Sequence, residues 1–360
     1  MAIRFNFIRE LRPGQQAGLK ESGSKLPHSK ALRASLHPAN RCTQASGLAV
    51  ADAISLTLVL GTLLSATNLR AVQGQSAGAT TLDCSEVQSA ILGRGVNYCV
   101  ALPADYASSG KRYPVLYYLH GMFENERSWA ERGGQEILDG MLAKGQLGPF
   151  LVVMPDAGKT FYVNSFDGKV RYEDFFIQEL VPYVDQHYRT IAQLAKRGIF
   201  GISMGGYGAL HLAMRHPDIF GSVSAQSAAL LPKFPNPLPT EGRWGFYARV
   251  LQGPFGEPLN EAYFDANNPI TLAEHPETFE NLKMYFDCGD HDRYGFDAGN
   301  QLLDQILTSK HFPHEYTLRE GGHGWDYEAQ YMQYPLLFEW NVFEHANGTA
   351  TAAAARGGRK

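Results

Sequence analysis

Ser203 lies in Gly201-Ile202-Ser203-Met204-Gly205-Gly206, directly after the apolar run Gly198–Ile202 and at the head of a helical pattern. A glycine-flanked serine between strand and helix is the nucleophile-elbow arrangement, a turn too tight for side chains beside the serine. The hydroxyl stands at a helix N-terminus, whose dipole favours developing negative charge. It attacks an acyl carbon only once a base takes its proton. In such sites an acid and then a histidine follow the serine along the chain. His323, in Gly321-Gly322-His323-Gly324, is the candidate base, because the glycines let a loop carry its imidazole over a sheet edge. His211, His216, His275, His311 and His314 are placed less well. The acid is expected after the apolar run Lys283–Cys288, where Asp287, Asp290 and Asp292 compete. Asp287 falls within the run and points into sheet packing. Asp292 is favoured and Asp290 is the alternative, the one left over serving as a turn aspartate. The oxyanion hole needs two backbone N–H groups, one from Met204 and one from the loop Leu119-His120-Gly121-Met122-Phe123. Met122 is the choice there and Phe123 the alternative, with His120 ordering the loop. No Cys/His spacing suggests a metal, and the chemistry needs no cofactor.

Positioning these residues requires a particular frame. Val96–Leu102, Pro114–His120, Phe150–Pro155, Gly198–Ile202, Gly221–Ala225, Lys283–Cys288 and Glu315–Arg319 read as strands. Trp129–Lys144, Tyr172–Tyr188, Gly206–Arg215, Ala298–Ser309 and Tyr327–Glu344 read as helices. The alternation implies an α/β fold, a mostly parallel sheet covered on both faces. Leu230 to about Phe279 breaks the rhythm with Pro, Asn and scattered aromatics (Phe234, Trp244, Phe246, Tyr247, Phe255, Tyr263, Phe264). At this length it reads as an insertion over the site rather than a connector. Residues 81–346 form one catalytic domain with 230–279 as its lid, and the tail 347–360 is expected to be disordered.

The first 80 residues differ in kind. They carry a net charge of +6 within a chain of −4, so the remainder is at −10. An acidic catalytic part excludes nucleic acid as the expected partner. The basic flank precedes an apolar stretch, 47–66, which reads as the core of a cleaved secretory signal or as an uncleaved membrane anchor. Either reading exports the domain to the periplasm or beyond. In an oxidising compartment Cys84 and Cys99 could pair, whereas Cys288 ends a strand and reads as a buried small hydrophobe.

Taken together these motifs resemble the esterase D/feruloyl esterase family of α/β-hydrolases. The likeness runs from about Val96 to Glu344. It rests on Tyr117-Tyr118-Leu119-His120-Gly121-Met122, Val152-Val153-Met154-Pro155-Asp156-Ala157-Gly158, Gly201 to Leu210, Cys288-Gly289-Asp290-His291-Asp292 and Gly321-Gly322-His323. In that family the acid closes a Cys-Gly-x-x-Asp run, which by likeness supports Asp292, and Ser203 and His323 carry over directly. The resemblance implies a serine carboxylic ester hydrolase without cofactor, acting on a small-molecule or carbohydrate-linked ester. The same family includes mycolyltransferases, so acyl transfer is the alternative, and S-formylglutathione hydrolase is a further one. A non-catalytic binding protein on the scaffold is the remote reading. Phe161, Tyr162, Trp325 and the lid aromatics suit an aromatic or sugar-linked acyl ester. The oligomeric state is not legible in the sequence.

Overall fold

The computed structural model describes residues 78–235 and 238–356, with side chains described through residue 345. The basic flank and the apolar stretch 47–66 lie outside the described residues. Strand β1 is Thr81–Ser89, β2 Arg94–Leu102 and β3 Val115–Leu119. Helices α1 (Ser128–Glu131) and α2 (Gly134–Ala143) precede β4 (Leu151–Pro155). Then come α3 (Tyr172–Phe175), a π turn over Phe176–Leu180, and α4 (Val181–His187). Strand β5 (Arg197–Ile202) leads into α5 (Met204–Arg215), and β6 (Ser222–Gln226) into the insertion. The insertion holds α6 (Gly242–Phe255), α7 (Glu261–Asn267) and α8 (Pro269–Leu272). Last are β7 (Lys283–Gly289), α9 (Phe296–Ser309), β8 (Glu315–Arg319), α10 (Trp325–Tyr331) and α11 (Gln333–Arg356).

The eight strands form one sheet in the order β1-β2-β4-β3-β5-β6-β7-β8. β2 runs antiparallel to both β1 and β4, and all other pairings are parallel. The two-residue period of a strand divides the core. On β3, Leu116 and Tyr118 pack with Trp129, Leu138, Phe200 and Leu336 on one face. Val115, Tyr117 and Leu119 pack with Phe176, Ile199 and Leu210 on the other. This is the α/β-hydrolase layering, and it places the C-terminal ends of β5, β6, β7 and β8 in a row, where parallel α/β sheets present their sites.

The elements depart from the sequence reading at definite places. The helix expected over Trp129–Lys144 breaks at Gly133, whose φ of 102° no helix can hold. The helix expected over Tyr172–Tyr188 contains the π turn. β1 lies outside the sequence reading, because it is an edge strand whose side chains are mostly polar and exposed and whose alternation slips phase at Glu86. It carries Cys84 directly opposite Cys99 of β2, and the two form a disulfide. The tail expected to be disordered instead continues α11 as far as Arg356. Ala352 to Ala355 are the strongest helix formers, and they prolong a helix already nucleated by packing.

One buried carboxyl anchors α11 to the sheet. Glu339 is fully buried and accepts hydrogen bonds from Ser222 Oγ and from Ser224 Oγ (2.6 Å), both on β6. A Cβ on Gly198 would lie 2.2 Å from the Glu339 carboxyl, so glycine there makes room for it. Burial pushes Glu339 up to about 8. The unfolded value is about 4.3, so the folded state holds the proton more tightly. The stability this contributes is complete below the unfolded value and drains away as pH rises towards 8. Glu339→Gln is therefore expected to flatten the decline in urea-unfolding stability between pH 5 and pH 8. An unchanged slope would show that the carboxyl does not titrate in this way.

Candidate active site

The elbow is built by close backbone approach. Ser203 has φ 56° and ψ −115°, a strained conformation for a residue with a side chain. A Cβ on Gly201 would lie 2.0 Å from the Gly205 carbonyl oxygen, and one on Gly205 would lie 1.9 Å from the Leu119 carbonyl oxygen. On Gly206 it would lie 2.9 Å from Ala228 Cα. The three glycines thus let β5, α5, the end of β3 and the segment after β6 converge. The Ser203 N–H donates to the Gln226 carbonyl, and the Ser203 carbonyl accepts from Ala229 N–H. The serine backbone is pinned to the end of β6.

The loops after β7 and β8 are tied to one another. Asp290 N–H donates to the Arg319 carbonyl (2.8 Å) and His291 N–H to the Gly321 carbonyl (2.9 Å). A side chain on Gly289 would strike the Gly321 carbonyl at 2.4 Å, so that glycine lets the loops touch. This contact brings His323 over Asp292. His323 Nδ1–H donates to Asp292 Oδ2 at 2.7 Å, and Ser203 Oγ lies 3.0 Å from His323 Nε2. Asp292 also accepts from the Tyr294 N–H through Oδ1 (2.8 Å). Its side chain is fully buried and that of His323 nearly so. The rings of Tyr294 and Phe296 meet the imidazole edge-on at 4.7 and 5.4 Å between centroids, fixing its plane.

The competing aspartates go elsewhere. Asp290 accepts from Gly321 N–H (3.0 Å) and His291 Nδ1 (2.6 Å), contacts that hold it below the usual carboxylate range. It is the turn aspartate. Asp287 is buried and accepts from the hydroxyls of Tyr285 (2.6 Å) and Tyr327 (2.8 Å), within sheet packing. Burial pushes it up to about 6. His120 donates from Nδ1 to the Gly121 carbonyl (2.8 Å) and accepts Ala157 N–H at Nε2 (3.0 Å). Both its nitrogens are spent on ordering the loop.

Met122 and Met204 line the same cavity as Ser203 and His323. Met204 opens α5, so its N–H has no partner within the helix. The cavity holds about 280 Å³, and the insertion supplies one wall through Phe246, Tyr247, Val250 and Leu251 of α6. The remaining insertion aromatics mostly pack among themselves, Phe234 and Phe255 against Phe264 at 4.8 and 5.0 Å. Phe161 lines the cavity as well. Tyr162 and Trp325 do not: Tyr162 is buried with its hydroxyl on the His120 carbonyl, and Trp325 packs against the opposite face of the sheet.

Two acidic residues at the site were not anticipated. Glu124 accepts the Gly121 N–H at 2.9 Å and pairs with Arg132 at 2.6 Å, clamping the loop that carries Met122. Glu328, on α10, lines the cavity beside them. Glu124 follows Gly121 by three residues, the spacing at which a glutamate reaches back to a backbone N–H as in a capping box, which could have suggested a loop clamp. For Glu328 the sequence offers no signal beyond its position five residues after His323.

The family described as "Putative esterase" matches residues 89–333. The chain belongs to this esterase family. An esterase of Mycobacterium tuberculosis (strain ATCC 25618 / H37Rv) is 30% identical over 253 residues, which are 64% of this chain and 52% of that protein. The chain thus spans about half the length of the curated M. tuberculosis relatives it matches. An acetyl esterase of Caldicellulosiruptor saccharolyticus is 27% identical over 233 residues, 63% of this chain and 82% of that protein. Among solved structures, a ferulic acid esterase superposes with a TM-score of 0.63 at 28% identity, covering 74% of this chain and 99% of that one. An S-formylglutathione hydrolase from Agrobacterium tumefaciens superposes with a TM-score of 0.58 at 20% identity, covering 74% and 96% of the two chains, a likeness of fold alone.

Proposed function

We propose that this esterase-family chain hydrolyses carboxylic esters through an acyl-enzyme on Ser203. The observation that carries the reading is the continuous relay from Ser203 Oγ to His323 Nε2 and from His323 Nδ1 to Asp292, at 3.0 and 2.7 Å. His323 takes the serine proton as the hydroxyl attacks the ester carbonyl, then returns it to the leaving alcohol. Asp292 holds the tautomer that leaves Nε2 free to accept, and it stabilises the imidazolium without taking the proton. The N–H groups of Met204 and Met122 receive the oxyanion. Water then resolves the acyl-enzyme by the same steps in reverse, and no cofactor enters.

Export is part of the proposal. It is supported by the Cys84–Cys99 disulfide, a bond that persists in oxidising compartments. The substrate reading is a small-molecule or carbohydrate-linked ester, which suits a walled cavity of this size beside the serine.

The test combines a fluorophosphonate probe with an ester panel: p-nitrophenyl esters of graded chain length, methyl ferulate, acetylated xylan and S-formylglutathione. Stoichiometric labelling of Ser203 and turnover of at least one oxygen ester are expected. Addition of trehalose or glycerol should leave free acid as the only product. An acylated acceptor would turn the reading to acyl transfer, and absence of both labelling and turnover would overturn it.

A further inference from the structure

Glu328 is 3% exposed, yet it lines the active-site cavity. Among the described residues its carboxyl has no hydrogen-bond or ion-pair partner, and the charged groups that act on it are committed elsewhere. Arg132, the nearby cation, is held by Glu124 at 2.6 Å, and the other Glu124 oxygen is taken by the Gly121 N–H. Asp292 is bonded to His323 and to Tyr294 N–H, and Asp287 to two tyrosines. A buried carboxyl left unpaired costs the desolvation of that group, which a ligand bonded to it would recover.

The chemistry of this corner selects the ligand. Glu124 and Arg132 pair with each other at this corner, and the cavity's other arginine, Arg293, lies over the Tyr294 ring at 5.0 Å. Burial, and then the Glu124 charge, push Glu328 up to about 8, so at neutral pH it holds its proton. A protonated carboxyl can donate and accept at once, as can an alcohol or phenol hydroxyl. We propose that Glu328 is a specificity residue that hydrogen-bonds a hydroxyl group of the ester substrate. The inference deepens the hydrolase reading and rests on it. The hydroxyl could belong to the alcohol part, as in a sugar or glycerol ester, or to the acyl part, as in a phenolic acid.

Matched pairs separate these sources. Methyl 4-hydroxycinnamate against methyl cinnamate tests the acyl hydroxyl, and glyceryl monoacetate against propyl acetate tests the alcohol hydroxyls. The wild type is expected to favour the hydroxylated member of one pair in kcat/KM by roughly ten-fold or more. Glu328→Leu should collapse that ratio towards one, while Glu328→Gln, whose amide still donates and accepts, should keep much of it. A ratio is insensitive to the fraction of folded variant, since misfolding lowers both rates together. A wild-type ratio near one in both pairs, or a ratio that survives Glu328→Leu, would overturn the proposal. Calorimetric binding of the same four esters to Ser203→Ala reads the subsite without catalysis. Discrimination there with no turnover by the wild type would sustain Glu328 and sink the hydrolase reading. Turnover without discrimination would do the reverse.

Discussion

Ser203→Ala is expected to lower kcat/KM for the best ester substrate by roughly 10⁴–10⁶-fold and to abolish fluorophosphonate labelling, with the fold left in place. The size follows from what is removed. Without Oγ no acyl-enzyme can form, and His323 loses the group it would activate. What survives is the oxyanion hole and substrate binding, which in serine hydrolases leave a rate roughly 10³–10⁴ above water. The substitution spares the architecture because alanine keeps the Cβ that the elbow already accommodates at φ 56°. The backbone bonds from Ser203 to Gln226 and Ala229 are untouched. Thermal unfolding within a few degrees of wild type would confirm that the loss is chemical. Activity within ten-fold of wild type would show that another residue carries the reaction.

Much of this site was legible because its demands are backbone demands. An elbow needs glycine where a Cβ would come within 3 Å of neighbouring backbone, and Gly201, Gly205 and Gly206 write that need into the sequence. Gly289, Gly321 and Gly324 do the same for the acid and histidine loops, where backbones touch or φ turns positive. The parallel strands were equally plain, since strands buried on both faces read as continuous apolar runs. Features set by side chains meeting across long separations were not legible. Glu339 reaches Ser222 and Ser224 from more than a hundred residues away, and Glu328 comes to lie near Glu124 only once α10 has packed. Neither residue differs locally from an ordinary surface glutamate. Edge strand β1 escaped notice for a related reason. It buries only Val87 and Ser89, too little apolar surface to stand out from a loop.

The sharpest discrimination among the acids comes from paired substitutions. Asp292→Asn is expected to reduce kcat by about 10⁴-fold, whereas Asp290→Asn should cost less than about ten-fold. The two residues are separated by one position and carry the same charge, although Asp292 is buried and Asp290 exposed, so sequence position and charge alone would predict similar losses. The geometry says otherwise. Asp292 Oδ2 accepts the Nδ1 proton of His323, which leaves Nε2 as the acceptor facing Ser203. An asparagine that turns its amide nitrogen towards His323 would donate instead, forcing the proton to Nε2 and removing the base. Retained activity should then rise at high pH, where hydroxide can take the serine proton without the imidazole. Asp290 serves the turn through Gly321 N–H, a bond that the asparagine carbonyl can still accept. Equal losses in the two variants would move the acid's role away from tautomer control. A larger loss in Asp290→Asn would reassign it, and the orientation of His323 would then need a different cause from the 2.7 Å bond to Asp292.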